Sequence, residues 1–151
     1  MSNKIEFEET TSYLLARVAT AFRSSLERNM ALIDLHAGHV FILIELWKED
    51  GLRQIDLANR LNIAAPTVFK TLKGLAEINL ITLESDPNDG RVNRAYLTAK
   101  GRAKREQVER QWIDLEESCL TVLREPERVN LNDLLTRLHA EFTGREINDE
   151  E

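Results

Sequence analysis

Cysteine, proline and long apolar runs are scarce in this sequence. Its 151 residues include one cysteine, three prolines and two tryptophans. The single cysteine, Cys119, excludes a disulfide framework within the chain and is typical of a reducing compartment. No apolar run approaches the roughly 20 residues that a membrane-spanning helix needs. The acidic N-terminal segment lacks the apolar core of a secretory signal, so we expect a cytoplasmic protein.

Sequence motifs of catalysis are also missing. The chain has no Gly-rich phosphate loop, no nucleophile motif and no carboxylate pair with a base nearby. These absences predict a protein that is not an enzyme and needs no cofactor. With 42% hydrophobic and 30% charged residues, the composition fits one globular domain over residues 1–151.

Charge is distributed unevenly along the chain. The formal net charge is −6, but the segment from Arg53 to Arg105 has ten basic and five acidic residues, a net of +5. The remainder therefore has a net charge of −11. This asymmetry indicates a basic face on an acidic body. The alternative is uneven surface charge without a function.

Helical periodicity dominates both ends of the sequence. A stripe at Leu14, Val18, Phe22 and Leu26 predicts a first helix over residues 8–29. A second helix, over residues 35–48 with Asp34 as its N-cap, is apolar nearly all round and should be buried. A long helix capped by Thr98 follows further on, and a last helix comes after the break at residues 125–126. The apolar stripe of the long helix is Val108, Trp112, Leu115, Cys119, Val122 and Leu123.

The centre of the chain predicts a helix-turn-helix. Two short helices meet at Asn62, which tolerates the left-handed conformation of a tight turn, and Pro66 falls in the first turn of the second helix. The side chains predicted to face inward are Leu57, Ala58, Leu61, Ile63, Val68 and Leu72. The segments "ITLES" and "RVNRAYL" flank "DPNDG" and predict a β-hairpin. The fold class is therefore mainly α, a winged helix-turn-helix with added N- and C-terminal helices.

The second helix of the pair should enter the major groove of DNA. Small residues at its start allow close approach, Thr67 can bond a base or phosphate, and Pro66 and Phe69 can touch a thymine methyl. Lysines suit phosphates, which position a protein without reading sequence. The predicted contacts of this helix are Ala65, Pro66, Thr67, Phe69, Lys70 and Lys73. Phe69 in the core and solvated lysines are the alternative.

The predicted hairpin tip presents arginine on a narrow projection. Arg91 follows the tip, with Arg94 three residues later, and the negative potential of a minor groove attracts such a side chain. Asp89 can orient the guanidinium through charge-assisted hydrogen bonds. A surface ion pair worth under about 1 kcal/mol is the alternative. Six basic residues and no acid lie between Arg91 and Arg105, and some should flank the DNA backbone.

The stretch "DPNDGRVNRAYLTAKG" resembles the wing and following helix of the MarR family of bacterial transcriptional regulators. The family pattern is matched in register at Asp86, Pro87, Asp89, Arg91, Leu97, Thr98 and Gly101. The upstream "IDLANRLNIAAPTVFKTLKGLAEINLI" is similar as well, and the resemblance spans residues 8–142. It implies a homodimer that binds pseudo-palindromic double-stranded DNA, usually as a repressor released by a small, often phenolic, anion. Gly90, where the family often has arginine, and Glu84 depart from the pattern and predict a weaker wing contact.

The terminal helices have more apolar surface than a small winged helix covers. We expect residues 8–34 and 106–145 to form a dimer interface and residues 50–100 to form the DNA-binding region. The alternative is packing of these helices on their own domain.

An effector site is the least specified feature of the sequence. Arg17, His36, His39 and Trp112 are expected to face the gap between helices one, two and five, where they offer a cation, hydrogen bonds and an aromatic wall. Cys119, on an apolar stripe, is expected to be a buried structural thiol. Two functional alternatives remain, a metal-responsive regulator and a winged-helix dimer that acts through protein contacts. The metal-responsive alternative would use His36 and His39 as ligands. We expect these to be ordinary histidines and assign no metal site.

Overall fold

Six α-helices and a small antiparallel sheet make up the part of the chain that the computed structural model describes, residues 4–91 and 93–149. The predicted fold class is confirmed. The ends of the predicted domain 1–151 and Val92 of the predicted wing strand lie outside the described residues. In chain order the elements are α1 (Thr11–Ala31), α2 (Ala37–Lys48), β1 (Leu52–Arg53), α3 (Gln54–Leu61), α4 (Ala65–Glu77), β2 (Ile81–Ser85), β3 (Asn93–Leu97), α5 (Ala99–Cys119) and α6 (Glu125–Asp149).

The first two helices begin later than the periodicity predicts. A 3₁₀ turn occupies Phe7–Glu9, and α1 begins after Thr10, whose hydroxyl accepts a hydrogen bond from the Tyr13 N–H at 3.2 Å. The predicted cap Asp34 is wrong. Its φ is +61°, and the N-cap of α2 is His36. Helix α2 itself is central and buried, as predicted.

The helix-turn-helix is formed by α3 and α4. Asn62 adopts the predicted left-handed conformation, with φ 52° and ψ 50°. Leu57 of α3 packs with Val68 and Leu72 of α4 in the core, and all three are at most 2% exposed. Ile63, predicted to face inward, is instead 38% exposed, because it follows the turn and precedes α4.

The predicted hairpin is the larger part of a three-stranded sheet. β3 lies in the middle, between β2 and the two-residue β1, in the order β1-β3-β2. Leu52 pairs with Ala95, and Ile81 pairs with Leu97. The sequence did not predict β1, since two residues are too short for alternation to be read.

The two C-terminal helices differ in burial. Val108 and Leu115 of α5 lie in the core, but α5 ends at Cys119, and that cysteine is exposed in the chain alone. The prediction of a buried thiol is therefore wrong, and Val122, predicted on the same stripe, is exposed beyond the helix. None of the α6 side chains that the structure describes, those of residues 125–144, is buried. None of the described helices is long and apolar enough to cross a membrane.

Candidate nucleic-acid interface

The outer face of α4 is open to solvent along its length. The six side chains that the sequence predicts to contact DNA are all exposed: Ala65, Pro66, Thr67, Phe69, Lys70 and Lys73. Phe69 is 43% exposed, so the core alternative for this residue is wrong, and the Lys73 ammonium lies 5.8 Å from the centre of its ring. Gln54 of α3 donates to the Ala65 carbonyl at 3.0 Å, which fixes the start of α4 against α3.

The tip between β2 and β3 carries the exposed arginine that the sequence predicts. The Arg91 side chain is 95% exposed, and its Nε lies 3.7 Å from Oδ1 of Asp89. The same oxygen accepts a hydrogen bond from the Arg91 backbone N–H at 3.1 Å. An exposed pair of this length is weak, so the guanidinium can exchange Asp89 for another anion at little cost.

A groove joins the wing to the start of α4. Its volume is about 250 Å³, and its walls are Arg53, Gln54, Ile55, Ala65, Arg91 and Asn93. Ala65 and Arg91, 26 positions apart in sequence, therefore lie on the same side of the molecule. Arg53, Gln54 and Asn93 were missed by the sequence reasoning. The only signal for Gln54 was a polar residue at the first position of a short helix.

Arg94 lies at the base of the wing rather than at its tip. Its Nε donates to Oδ2 of Asp86 at 2.6 Å, and its Nη1 donates to the Gly51 carbonyl at 2.9 Å. The side chain is 33% exposed. The prediction that Arg94 contacts DNA stays a prediction. Its hydrogen bonds to Asp86 and to the Gly51 carbonyl favour a structural role at the base of the wing instead.

The run of basic residues after the wing satisfies groups within the protein. Lys100 donates to the Ile78 carbonyl at the end of α4, and Arg102 donates to the Leu97 carbonyl, each at 3.0 Å. Arg105 pairs with Glu109 at 2.7 Å. Cations at the C-terminal end of a helix are favourable because unpaired carbonyls gather there. Much of this run therefore stabilises the junction of α4, the sheet and α5.

The predicted effector residues are Arg17, His36, His39 and Trp112, and only Trp112 lines the cavity between α2 and α5. Arg17 is exposed on α1. The volume of the α2–α5 cavity is about 170 Å³. Its lining consists of Ile44, Trp47, Lys48, Arg105, Val108, Glu109 and Trp112. The ring of Trp112 also meets those of Phe22 and Phe41 edge to face, at 5.9 and 6.2 Å between centroids.

The two histidines belong to a capping arrangement at the start of α2. Glu27 accepts from the Ala37 N–H at 2.8 Å and lies 2.6 Å from Nδ1 of His36, while His39 Nδ1 accepts from the His36 N–H at 3.1 Å. The Ala37 N–H and then His36 lower the pKa of Glu27. Burial lowers the pKa of His39, and the nearby His36 adds to this effect. Among the described residues, no three His, Cys, Asp or Glu side chains are arranged to hold a metal ion.

The helix-turn-helix and wing are also the part of the chain that matches a known family in sequence. The model of the MarR family matches residues 35–92, which run from the start of α2 to the wing tip. The sequence of this segment therefore resembles that of the MarR family. An uncharacterized HTH-type transcriptional regulator of Staphylococcus aureus is 34% identical over 85 residues, covering 54% of this chain and 58% of the relative. The matched region thus spans under two thirds of that relative's length.

Solved structures share the fold of this chain over most of its length. A probable transcriptional regulator from Pseudomonas aeruginosa superposes with a TM-score of 0.80 at 22% identity, covering 88% of this chain and 99% of that one. BpsR of Bordetella bronchiseptica, whose DNA binding is regulated by 6-hydroxynicotinic acid, superposes with a TM-score of 0.81 at 23% identity, covering 91% and 98%. At these identities the likeness concerns the fold.

Proposed function

We propose that this chain is a homodimeric, sequence-specific DNA-binding repressor of the MarR family. The observation that carries the proposal is the groove between the wing and the start of α4, which both Ala65 and Arg91 line. A helix presented in this way fits a major groove, and an arginine on a projecting tip fits the adjacent minor groove. MarR-family regulators are non-enzymatic DNA-binding proteins, which agrees with the missing catalytic motifs.

Individual residues receive separate roles in this proposal. Thr67 and Phe69 read base edges in the major groove, with Ala65 and Pro66 allowing close approach, while Lys70 and Lys73 hold phosphates. Arg91 enters the minor groove, and Asp89 orients it through the contact described above.

The decisive experiment is fluorescence anisotropy with duplexes tiled across the gene's upstream region, at two salt concentrations. We expect tight binding to one tile, and a loss of roughly 1–3 kcal/mol in Arg91→Ala. Lys4→Ala is the control, because it removes an exposed positive charge outside the proposed DNA-binding and dimerisation regions. Lys70→Ala should weaken binding to all duplex sequences alike. It should also reduce the slope of log affinity against log salt concentration by about one.

Binding no tighter than to random duplexes, followed by failure of a selection from a random library, would contradict the proposal. That outcome would favour the alternative in which the winged-helix dimer acts through protein contacts. The metal-responsive alternative has no described site to support it, since His36 and His39 already serve the cap of α2.

The proposed dimer rests on apolar surface left open by the single chain. Val18 on α1 is 64% exposed and Phe142 on α6 is 58% exposed. Leu14, Leu134, Leu135 and Leu138 are exposed as well. Exposed apolar faces of this kind mark interaction surfaces, and two-fold pairing is the commonest oligomeric solution. Residues 8–34 and 106–145 therefore remain our proposed dimerisation helices, with 50–100 as the DNA-binding region.

Sedimentation equilibrium tests the dimer directly. We expect a dimer for the natural chain and a shift toward monomer for Leu138→Glu. Asn130→Asp, which adds a negative charge at another exposed position of the same helix, is the control. A monomeric natural chain at micromolar concentration would contradict the proposal.

The effector that we propose is a single-ring organic anion bound in the α2–α5 cavity. Two indole rings, those of Trp47 and Trp112, supply apolar walls. Arg105 and Lys48 also line the cavity, each in an exposed ion pair with a glutamate that the anion's carboxylate would replace. Trp112 is thus retained from the sequence-based set, while Arg17, His36 and His39 are not part of this cavity. BpsR, which shares the fold, is regulated by a compound of this class.

Intrinsic fluorescence provides the test, because both tryptophans of the chain line the cavity. Salicylate and 6-hydroxynicotinic acid should quench the emission and release the bound duplex, whereas salicylamide, which lacks the carboxylate, should do neither. Quenching without any effect on DNA binding would contradict the regulatory role.

A further inference from the structure

We infer that Arg94 is a positioning residue that braces the base of the wing against the α2–β1 turn, and that it acts on DNA only through Arg91. This inference rests on the DNA-binding function proposed above. It replaces the direct contact that the sequence suggested for Arg94.

The position of Arg94 in the sheet makes the brace possible. β3 is the middle strand, and Arg94 pairs in register with Arg53 of β1 on one side and Glu84 of β2 on the other. From there its guanidinium reaches Asp86, at the end of β2, and the Gly51 carbonyl, just before β1. One planar group thus connects the wing to a turn 43 positions earlier in the chain.

Asp86 connects the brace to the wing tip. Its Oδ2 accepts from Arg94, while its Oδ1 accepts from the Asn88 backbone N–H at 2.8 Å. The Asp86 side chain is only 10% exposed. The Asn88 N–H and then Arg94 lower the pKa of Asp86, so the carboxylate is charged at neutral pH. A charge-assisted hydrogen bond held in a shielded position is stronger than one in open solvent.

The other end of the brace is held in place by the backbone. The Gly51 N–H donates to the Ala95 carbonyl and to Oδ1 of Asp50, both at 3.0 Å. Gly51 has a φ of +74°, and a Cβ there would lie 2.8 Å from the Tyr96 ring. Because the turn has little room to move, the Gly51 carbonyl is a stable anchor for Arg94.

Arg91 projects from this braced base. The contrast between the two arginines is clear: Arg91 has one long ionic contact and is 95% exposed, whereas Arg94 has two short hydrogen bonds and is 33% exposed. The charge of Arg94 is also balanced by its ion pair with Asp86, which leaves little net attraction for a phosphate. A braced base lowers the entropy that the wing loses when Arg91 enters a groove.

The Asp86→Asn substitution distinguishes a brace from a phosphate contact, because the two roles of Arg94 predict opposite changes in DNA affinity. Removal of a negative charge near DNA should strengthen binding if electrostatics alone matters. The amide can still accept from the Asn88 N–H, but it cannot pair with the guanidinium. We therefore expect Asp86→Asn to weaken binding about three- to tenfold, through loss of order in the wing. Glu84→Gln is the matched control, since it removes the same charge from β2, and it should leave affinity unchanged or raised.

Arg94→Lys provides the second comparison. A lysine keeps the charge but loses the fork that joins two acceptors. If Arg94 is a brace, Arg94→Lys should weaken DNA binding about as much as Arg94→Ala does. The slope of log affinity against log salt concentration should then be unchanged in both variants. As a phosphate contact, Arg94→Lys should retain most of the affinity, and Arg94→Ala should reduce the slope by about one. The pattern expected of a phosphate contact would overturn the inference. Equal gains in DNA affinity in Asp86→Asn and Glu84→Gln would overturn it as well.

A probe on the wing reports the brace without DNA. Gly90→Cys in a Cys119→Ser background accepts a maleimide dye at the tip, where a side chain meets nothing within 4 Å. The anisotropy of this dye should fall in Asp86→Asn and in Arg94→Lys, but not in Glu84→Gln. Unchanged anisotropy in the first two, with circular dichroism showing folded protein, would overturn the inference. Failure of the function proposal is distinct, because then Arg91→Ala would have no effect on DNA binding while the dye still responds.

Discussion

The Gly101→Ala substitution has two opposing effects on stability, a steric overlap with the backbone and a gain in helix propensity. Gly101 lies in the first turn of α5, and a Cβ built there would be 2.0 Å from the Leu80 carbonyl oxygen, about 1.4 Å inside ordinary contact. The neighbouring atom belongs to the backbone, so it cannot rotate away. The same oxygen accepts the Thr98 N–H at 3.0 Å. Any displacement of α5 that relieves the overlap therefore strains that hydrogen bond.

The magnitudes favour destabilisation. Forcing a methyl group into a well-packed position costs about 1–3 kcal/mol, and loss of the hydrogen bond adds about 1 kcal/mol. Alanine is better than glycine in a helix by about 1 kcal/mol, which offsets part of this cost. We expect Gly101→Ala to lower the free energy of unfolding by roughly 1–3 kcal/mol.

Gly144→Ala is the matched control for this prediction. Gly144 lies in α6, and a Cβ there meets nothing within 4 Å. Helix propensity then acts alone and should stabilise the chain by up to about 1 kcal/mol. Urea unfolding followed by circular dichroism, at one fixed protein concentration because association raises apparent stability, measures both variants. A Gly101→Ala variant as stable as the natural chain would refute the close approach of α5 to Leu80.

Three further predictions concern the core, the sheet and pH. Leu57→Ala, at a fully buried position, should lower the free energy of unfolding by about 2–5 kcal/mol; a smaller loss in urea titration would mean that the site collapses. Asp50→Ala should cost about 1–3 kcal/mol, because Oδ1 of Asp50 accepts the Leu97 N–H at 2.8 Å, whereas Asp50→Asn, which keeps an acceptor, should cost much less. The pKa of His39 is lowered in the folded chain, so the unfolded chain binds the proton more readily and stability should fall as the pH drops below about 6.5. Glu27, whose pKa is also lowered, should add a second loss of stability below about pH 4.5. Urea unfolding of His39→Gln at pH 7.5 and 5.5 should show a smaller loss of stability between these two pH values than the natural chain does. An equal loss in both proteins would contradict the assignment to His39.

Local patterns predicted the parts of the molecule that depend on neighbouring residues. The left-handed turn at Asn62 follows from one residue's conformational tolerance, and the cap of α5 follows from Thr98, whose hydroxyl accepts the Gly101 N–H at 3.0 Å. The two faces of α4 follow from helical period alone. These features need no knowledge of distant segments, which is why the sequence was sufficient.

Features that depend on distant segments escaped prediction. His36 displaced Asp34 as the cap of α2 because Glu27, from α1, satisfies the neighbouring Ala37 N–H. The partners of Arg94 depend on the register of β1 with β3, and a two-residue strand carries no readable pattern. Cys119 was misjudged because an apolar stripe does not show where its packing partner ends. Periodicity identifies a face of a helix but not the segment that covers it.

The separation of the two faces of α4 has a consequence for how such a protein can diverge. Val68, Leu72 and Leu75 hold the helix in the core, while the opposite side chains are exposed. Substitutions at exposed positions usually change stability by no more than about 0.5 kcal/mol. Gene copies can therefore acquire new residues along the outer face of α4 while the fold is retained. Under the function proposed here, the sequence that such a copy binds can drift step by step without passing through an unfolded intermediate.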